Sequence, residues 1–92
     1  MSERKATVAS SSGLHARPAS LFAAAAGETG VEVTIAMEGD AIDEAMDASS
    51  ILSLMTLGAE HGSVVVLRAE GEGADAALDS LAAMLETDLD AV

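Results

Sequence analysis

Val31-Glu32-Val33-Thr34-Ile35-Ala36-Met37-Glu38 is the most regular stretch of the 92-residue chain. Apolar residues fill its odd positions and mostly polar ones its even positions, which is the period of a strand buried on one face and wet on the other. Such a strand belongs to an antiparallel sheet with one covered face. Gly39-Asp40 follows, and the next short apolar run, Ile42 to Met46, reads as its hairpin partner with Ile42 and Met46 directed inward.

Two further strands complete the sheet. Lys5 to Ala9 sets Ala6 and Val8 on one parity against Lys5 and Thr7. Ser63 to Glu70 is the most β-branched run in the chain. Arg68 must face water there, so Val65, Leu67 and Ala69 are the core candidates, with Val64 and Val66 on the outer parity. Three segments repeat apolar residues at helical spacing. The first runs from Ala16 or Arg17 to Glu28, with Pro18, Leu21, Phe22 and Ala25 on one stripe and Gly27 and Gly30 bracketing its end. The second spans Ala48 to Leu57 behind Asp47 as a candidate N-cap; Ala48, Ile51, Leu54 and Met55 share a face, and Leu52 lies off it. The third runs from Ala74 to about Thr87 through Ala77, Leu78, Leu81, Met84 and Leu85, and residues 88–92 read as a frayed tail. The order β-α-β-β-α-β-α, with a hairpin in the middle, predicts an α+β fold whose antiparallel sheet carries its helices on one face.

Composition limits what such a fold can do. Ninety-two residues suit one domain with a modest core, so residues 1–92 are expected to form a single unit, and Phe22 is the one aromatic residue available to its interior. The chain carries 16 acidic against 4 basic residues, a formal charge of −12, which disfavours a nucleic-acid partner. The absence of cysteine removes disulfides, thiolate zinc sites and thiol catalysis. The sequence shows neither a signal-peptide core nor a membrane span, so a cytoplasmic protein is the expectation, without metal or bound cofactor.

The chemistry concentrates in Gly13-Leu14-His15-Ala16-Arg17-Pro18-Ala19-Ser20. Pro18 suits only a first helical turn, and strong helix formers follow it. Free backbone N–H groups and the positive end of the helix dipole make such an end an anion site, to which Arg17 adds a forked cation. Imidazole is the side chain whose neutral, nucleophilic form is abundant near neutral pH. His15 thus stands as a nucleophile where phosphate would bind. His61, by contrast, has no ligand set around it and reads as a surface residue. Two histidines, no cysteine and no separate substrate domain are too few parts for a stand-alone enzyme.

These eight residues resemble the active-site signature of HPr, the histidine-containing phosphocarrier family of the phosphoenolpyruvate-dependent sugar phosphotransferase system. Ser50-Ile51-Leu52-Ser53-Leu54-Met55-Thr56-Leu57-Gly58, with Gly62 following, is similar to the family's regulatory-serine segment. The resemblance implies an open-faced β-sandwich with strand order 1-4-2-3 and three helices on one face. It implies that His15 accepts a phosphoryl group from phospho-Enzyme I through Nδ1 and passes it to an Enzyme IIA component, the protein itself being a carrier. Arg17 and the N–H groups of Ala16 and Arg17 would receive the phosphate oxygens. Ser50 would be the site of HPr kinase/phosphorylase, a third candidate partner, while the plainer reading makes it a helix cap. Ile51, Leu52 and Met55 would form a docking patch, although helical spacing favours core packing for Leu54 and Met55 and docking for Leu52. A monomer is expected. The alternatives are a regulatory module acting through Ser50, or a carrier in a nitrogen-related, fructose-linked or dihydroxyacetone-kinase-linked relay. Many family members carry lysines on the first helix and around the second motif, where this chain has alanine at 23–26 and Ser53.

Overall fold

The computed structural model describes residues 2–89, apart from the side chain of Ile42. In chain order the elements are β1 (Ser2–Thr7), α1 (Ala16–Glu28), β2 (Val33–Met37), a 3-10 turn (Ile42–Glu44), β3 (Met46–Asp47), α2 (Ile51–Leu57), β4 (Val64–Ala69) and α3 (Ala74–Leu85). The four strands form one antiparallel sheet in the order β1-β4-β2-β3. Order and class agree with the expectation from the sequence.

β4 lies in the middle because it is the strand that tolerates burial on both faces. Val65, Leu67 and Ala69 point into the core, and Val66, on the opposite parity, is buried as well. The register sets Leu67 beside Arg4 and Ile35, and Val66 beside Lys5 and Ala36. Helices cover the first set: Phe22, Leu54, Leu78, Leu81 and Leu85 pack with Val33, Ile35, Val65 and Leu67 into one cluster. On the other side the roof is made of charged side chains. Glu3 accepts from Arg68 Nε at 2.9 Å, and Lys5 reaches Glu38 at 3.2 Å from the opposite flank of β4. Their aliphatic stems shield Val66 and Ala36 where no helix does.

Several boundaries differ from the sequence expectation, each for a local reason. β1 starts at Ser2 and ends at Thr7, because pairing with β4 rather than its own alternation sets its length. Val8 is still buried and donates to Ser63 O at 2.8 Å. The hairpin strand expected over Ile42–Met46 contracts to Met46–Asp47, since Glu44 N donates to Ala41 O and the preceding residues coil into the 3-10 turn. The expected inward direction of the Ile42 side chain lies outside the described residues. Asp47 does not cap α2. It pairs with Thr34 in the sheet, and its carboxylate accepts from Ser49 N at 2.9 Å and Ser49 Oγ at 2.6 Å. The Ser49 hydroxyl, and after it the Ser49 N–H, hold the Asp47 carboxyl below its ordinary range. α2 therefore begins three residues later than expected, with Ser50 as its N-cap.

In α1 the buried positions are Pro18, Ala19, Phe22, Ala23 and Ala26, while Leu21 and Ala25 are only half-buried. A tract of four alanines has no hydropathy contrast, so it could not reveal which way the stripe turns. α3 keeps most of its expected face, with Ala74, Ala77, Leu78, Leu81 and Leu85 buried and Met84 half-buried, and it ends at Leu85 rather than about Thr87. The tail is not frayed at its start. Leu89 is buried and its N–H donates to Ser10 Oγ at 3.0 Å; residues 90–92 lie outside the described part.

The roofing pair is asymmetric in its burial. The Arg68 side chain is only 12% exposed against 48% for Glu3, and Arg68 Nη1 is buried without a hydrogen-bond partner among the described residues. Removing Glu3 strands a covered charge, whereas Arg68→Met keeps the stem and removes the stranded nitrogen. Urea denaturation should therefore show Glu3→Ala costing about 1–2 kcal/mol and Arg68→Met staying within about 1 kcal/mol of the parent. The reverse order would mean that the pair itself, rather than the covering stem, stabilises this face.

Candidate functional site

His15 is the N-cap of α1, with extended backbone angles (φ −125°, ψ 158°) and no capping hydrogen bond from its side chain. A helix leaves its first N–H groups without intrahelical acceptors. Here Pro18 has no N–H to offer, so the donors presented by this turn are those of Ala16 and Arg17. Both residues are exposed, and His15 is half-buried. The imidazole, two backbone donors and a guanidinium thus come from three successive residues at one helix end.

Two anchors hold that end in place. Leu14 is fully buried, and its N–H donates to Ala59 O at 2.9 Å; Pro18 is buried one turn on. Between them Ala16 has a φ of +48°, the one positive value among the described non-glycine residues. A left-handed conformation costs an L-residue about 1–2 kcal/mol. The backbone therefore turns sharply at the residue after the histidine, and the flanking anchors sustain it. Gly13 makes the approach possible: a Cβ there would stand 2.5 Å from Ala59 O and 2.7 Å from Glu60 Cα.

Of the four lysine and arginine side chains, Arg4 pairs with Asp79 at 2.7 Å and Asp75 at 3.6 Å, Lys5 with Glu38, and Arg68 with Glu3. Arg17 has no carboxylate partner among the described residues. The cation left available in this strongly acidic chain is the one beside His15.

The sequence pattern described as "PTS HPr component phosphorylation site" matches residues 2–87. The chain belongs to the HPr family. It is 46% identical to the phosphocarrier protein HPr of Streptomyces coelicolor, over 98% of this chain and 94% of that one. Against the phosphocarrier protein HPr of Haloferax volcanii it is 41% identical, covering 92% and 93%. Among solved structures, HPr from Bacillus anthracis superposes with a TM-score of 0.81 at 32% identity, over 91% of this chain and 95% of that one. The protein is a phosphocarrier of the phosphotransferase system, a carrier of phosphoryl groups rather than an enzyme. HPr membership implies Enzyme I and Enzyme IIA as partners. Among the described residues no helix is long and apolar enough to cross a membrane.

The second HPr-like motif has a definite geometry too. Ser50 is half-exposed, and its Oγ accepts from Ser53 N at 3.2 Å, so the plainer reading of a helix cap describes its contacts. Leu54 is buried as expected. Met55 is not a core residue: it is 45% exposed, like Ile51 at 45%, and Leu52 stands out at 77%. Along this short helix Leu54 is buried, Ser53 and Leu57 are half-buried and the other positions are exposed. His61 is exposed, with Nδ1 3.2 Å from Ala9 O.

Sequence reasoning missed the rail on which the HPr signature rests. Ala59 and Glu60 offered no motif of their own, and only Gly58 and Gly62 marked a loop there. A cavity of about 360 Å³ bounded by Glu32, Thr34, Arg68, Ala69 and Glu70 contains none of the nominated residues.

The rail can be tested by a pair of glycine substitutions. Gly13 and Gly30 have similar φ values, +72° and +75°, but a Cβ at Gly30 meets nothing within 4 Å. Gly30→Ala should cost about 1 kcal/mol from backbone strain alone, and Gly13→Ala roughly 2–3 kcal/mol because the Ala59 carbonyl must also move. Equal costs by chemical denaturation would show that the close approach to Ala59 does not constrain the loop.

Proposed function

We propose that His15 is the residue that carries the phosphoryl group, receiving it from phospho-Enzyme I and delivering it to an Enzyme IIA component. The observation that carries this reading is the succession, at the start of α1, of an uncapped imidazole, two helix-end N–H groups and the one lysine or arginine without a carboxylate partner among the described residues. In the forward step the Nδ1 lone pair attacks phosphorus, a P–N bond forms to His15, and the bond to the donor breaks in line with it. The ring proton stays on Nε2. Three phosphoryl oxygens carry the charge that develops, and the Ala16 and Arg17 N–H groups with the Arg17 guanidinium meet it without water having to reorganise. No separate general base is required, because neutral imidazole has no proton to lose at the attacking nitrogen. Transfer to the next partner reverses the same steps on a new acceptor.

Ser50 is proposed as a second, regulatory site. Its place at the start of α2 supports this, because a phosphate there adds roughly −1.5 to −2 charges beside the exposed Leu52. Ile51, Leu52 and Met55 are proposed to contact the partners, supported by their exposure beside the histidine-bearing helix.

Incubation with phosphoenolpyruvate, magnesium and the Enzyme I of the same organism should add an acid-labile, base-stable phosphate that His15→Ala abolishes. Arg17→Ala should slow that labelling at least about tenfold, with stability within about 0.5 kcal/mol of the parent because the side chain is exposed and unpaired. Labelling that survives His15→Ala would overturn the assignment, and unfolding of Arg17→Ala would make Arg17 structural. Ser50→Asp should lower the labelling rate while leaving His15 as its site.

A further inference from the structure

The open face of the sheet carries charge that the phosphoryl relay does not use. Thr34 of β2 lies directly opposite Arg68 of β4, and both belong to the parity that faces away from Val33, Ile35, Leu67 and Ala69 of the core. One further step of the same register, beyond Val33 and Ala69, sets Glu32 opposite Glu70. These side chains, with Ala69, bound the cavity of about 360 Å³. Its volume is that of a pocket for a small molecule.

The two ends of the cavity have opposite unmet needs. At one end Arg68 gives Nε to Glu3 at 2.9 Å, while Nη1 is buried without a partner among the described residues. Half-buried Thr34 brings a hydroxyl to the same end. At the other end Glu32 and Glu70 are exposed and have no cationic partner among the described residues. Like charges directly across a strand pair destabilise a sheet, and a bound cation would remove that cost. The neighbouring carboxylates of this face are already engaged: Glu3 by Arg68, Glu38 by Lys5, and Asp47, which pairs with Thr34 from β3, by Ser49.

We infer that this cavity binds a small zwitterion of the α-amino-acid class, with its carboxylate on Arg68 and Thr34 and its ammonium between Glu32 and Glu70. The two pairs stand two residues apart along their strands, roughly 7 Å. An α-amino acid has both charged groups on one carbon, and a hydrogen bond at each end lets it bridge that gap. Because Nη1 is covered, the carboxylate engages it through a small turn of the guanidinium about its Nε contact. An anion alone would meet two unpaired carboxylates, and a cation alone would leave Arg68 unanswered beside it. A metal ion does not suit the site, since the described residues hold no group of three side chains placed to ligate one. The inference does not depend on the role of His15, which lies outside the cavity.

L-alanine is the probe, with propionate and ethylammonium as its two halves, the first lacking the ammonium and the second the carboxylate. Amide chemical shifts of the isotopically labelled full chain are followed at neutral pH and constant ionic strength. The expected result is saturation by L-alanine in the millimolar range, shifts centred on Glu32, Thr34, Arg68 and Glu70, and each half binding at least about tenfold more weakly. No saturation below about 0.1 M would overturn the inference. Ethylammonium binding as well as L-alanine would reduce the cavity to a cation site, and propionate doing so would reduce it to an anion site; either result overturns the zwitterion assignment. In a chain carrying both Glu32→Gln and Glu70→Gln, L-alanine should fall to the affinity of propionate. Arg68→Met should bring it down to that of ethylammonium. L-alanine binding that neither change weakens would lie elsewhere on the molecule and overturn the inference. Should Arg68→Met unfold, the doubly substituted chain decides alone, because both of its altered residues are exposed.

Discussion

A hydrogen bond of 2.9 Å from the Leu14 N–H to the Ala59 carbonyl lies beneath the whole functional end of the molecule. It fixes the backbone one residue before His15 against a loop that β4 holds in turn. With Leu14 buried on one side and Pro18 on the other, the chain turns at Ala16, directly after His15. A flexible loop would have to surrender conformational freedom each time phosphate arrived. This one has surrendered that freedom on folding, as the proposed role of its N–H donors would require.

The sheet supplies the rigidity this arrangement needs, and it does so with few large side chains. Phe22 is the one aromatic residue, and alanines fill much of the rest of α1. Small side chains let the helix lie close to the sheet, but they leave little apolar area per residue. Burial on both faces of β4 offsets part of that deficit, and the charged roof makes the second face possible. The roof pairs engage Lys5 and Arg68, and Arg4 pairs with Asp75 and Asp79 of α3, so three of the four lysine and arginine side chains are held on the sheet and α3. Support for the sheet and charge at the start of α1 are thus divided among different residues.

Most of the architecture was legible because its signals are periodic. The alternation of Val31 to Glu38, the β-branched run of Ser63 to Glu70 and the spacing of Ala74 to Leu85 each gave an element of the right type. Where the reading failed, the deciding interaction was between segments. Pairing with Ala69 lengthened β1, and the Asp47 carboxylate was occupied by Ser49 rather than by α2. The alanine tract could not state its own phase. The start of α1 at His15, Arg17 and Pro18 was legible because a helix start can be read from adjacent residues. The part played by Ala59 was not, since a backbone carbonyl carries no mark of its use in the sequence.

The segment from Leu85 to Leu89 is stitched to the beginning of the same loop. Ala9 N donates to Leu85 O, Ser11 is joined to Asp88, and Ser10 receives the N–H of Leu89, 79 residues away in sequence. Contacts of such separation are the slowest to form in a folding chain. They also cannot exist before residue 89 has been made. A nascent chain emerging from its first residue onward would expose His15 early but would lack the stitching that completes its loop. Order in the loop before His15 thus waits on residues 85–89, and is written into the topology rather than into any one residue.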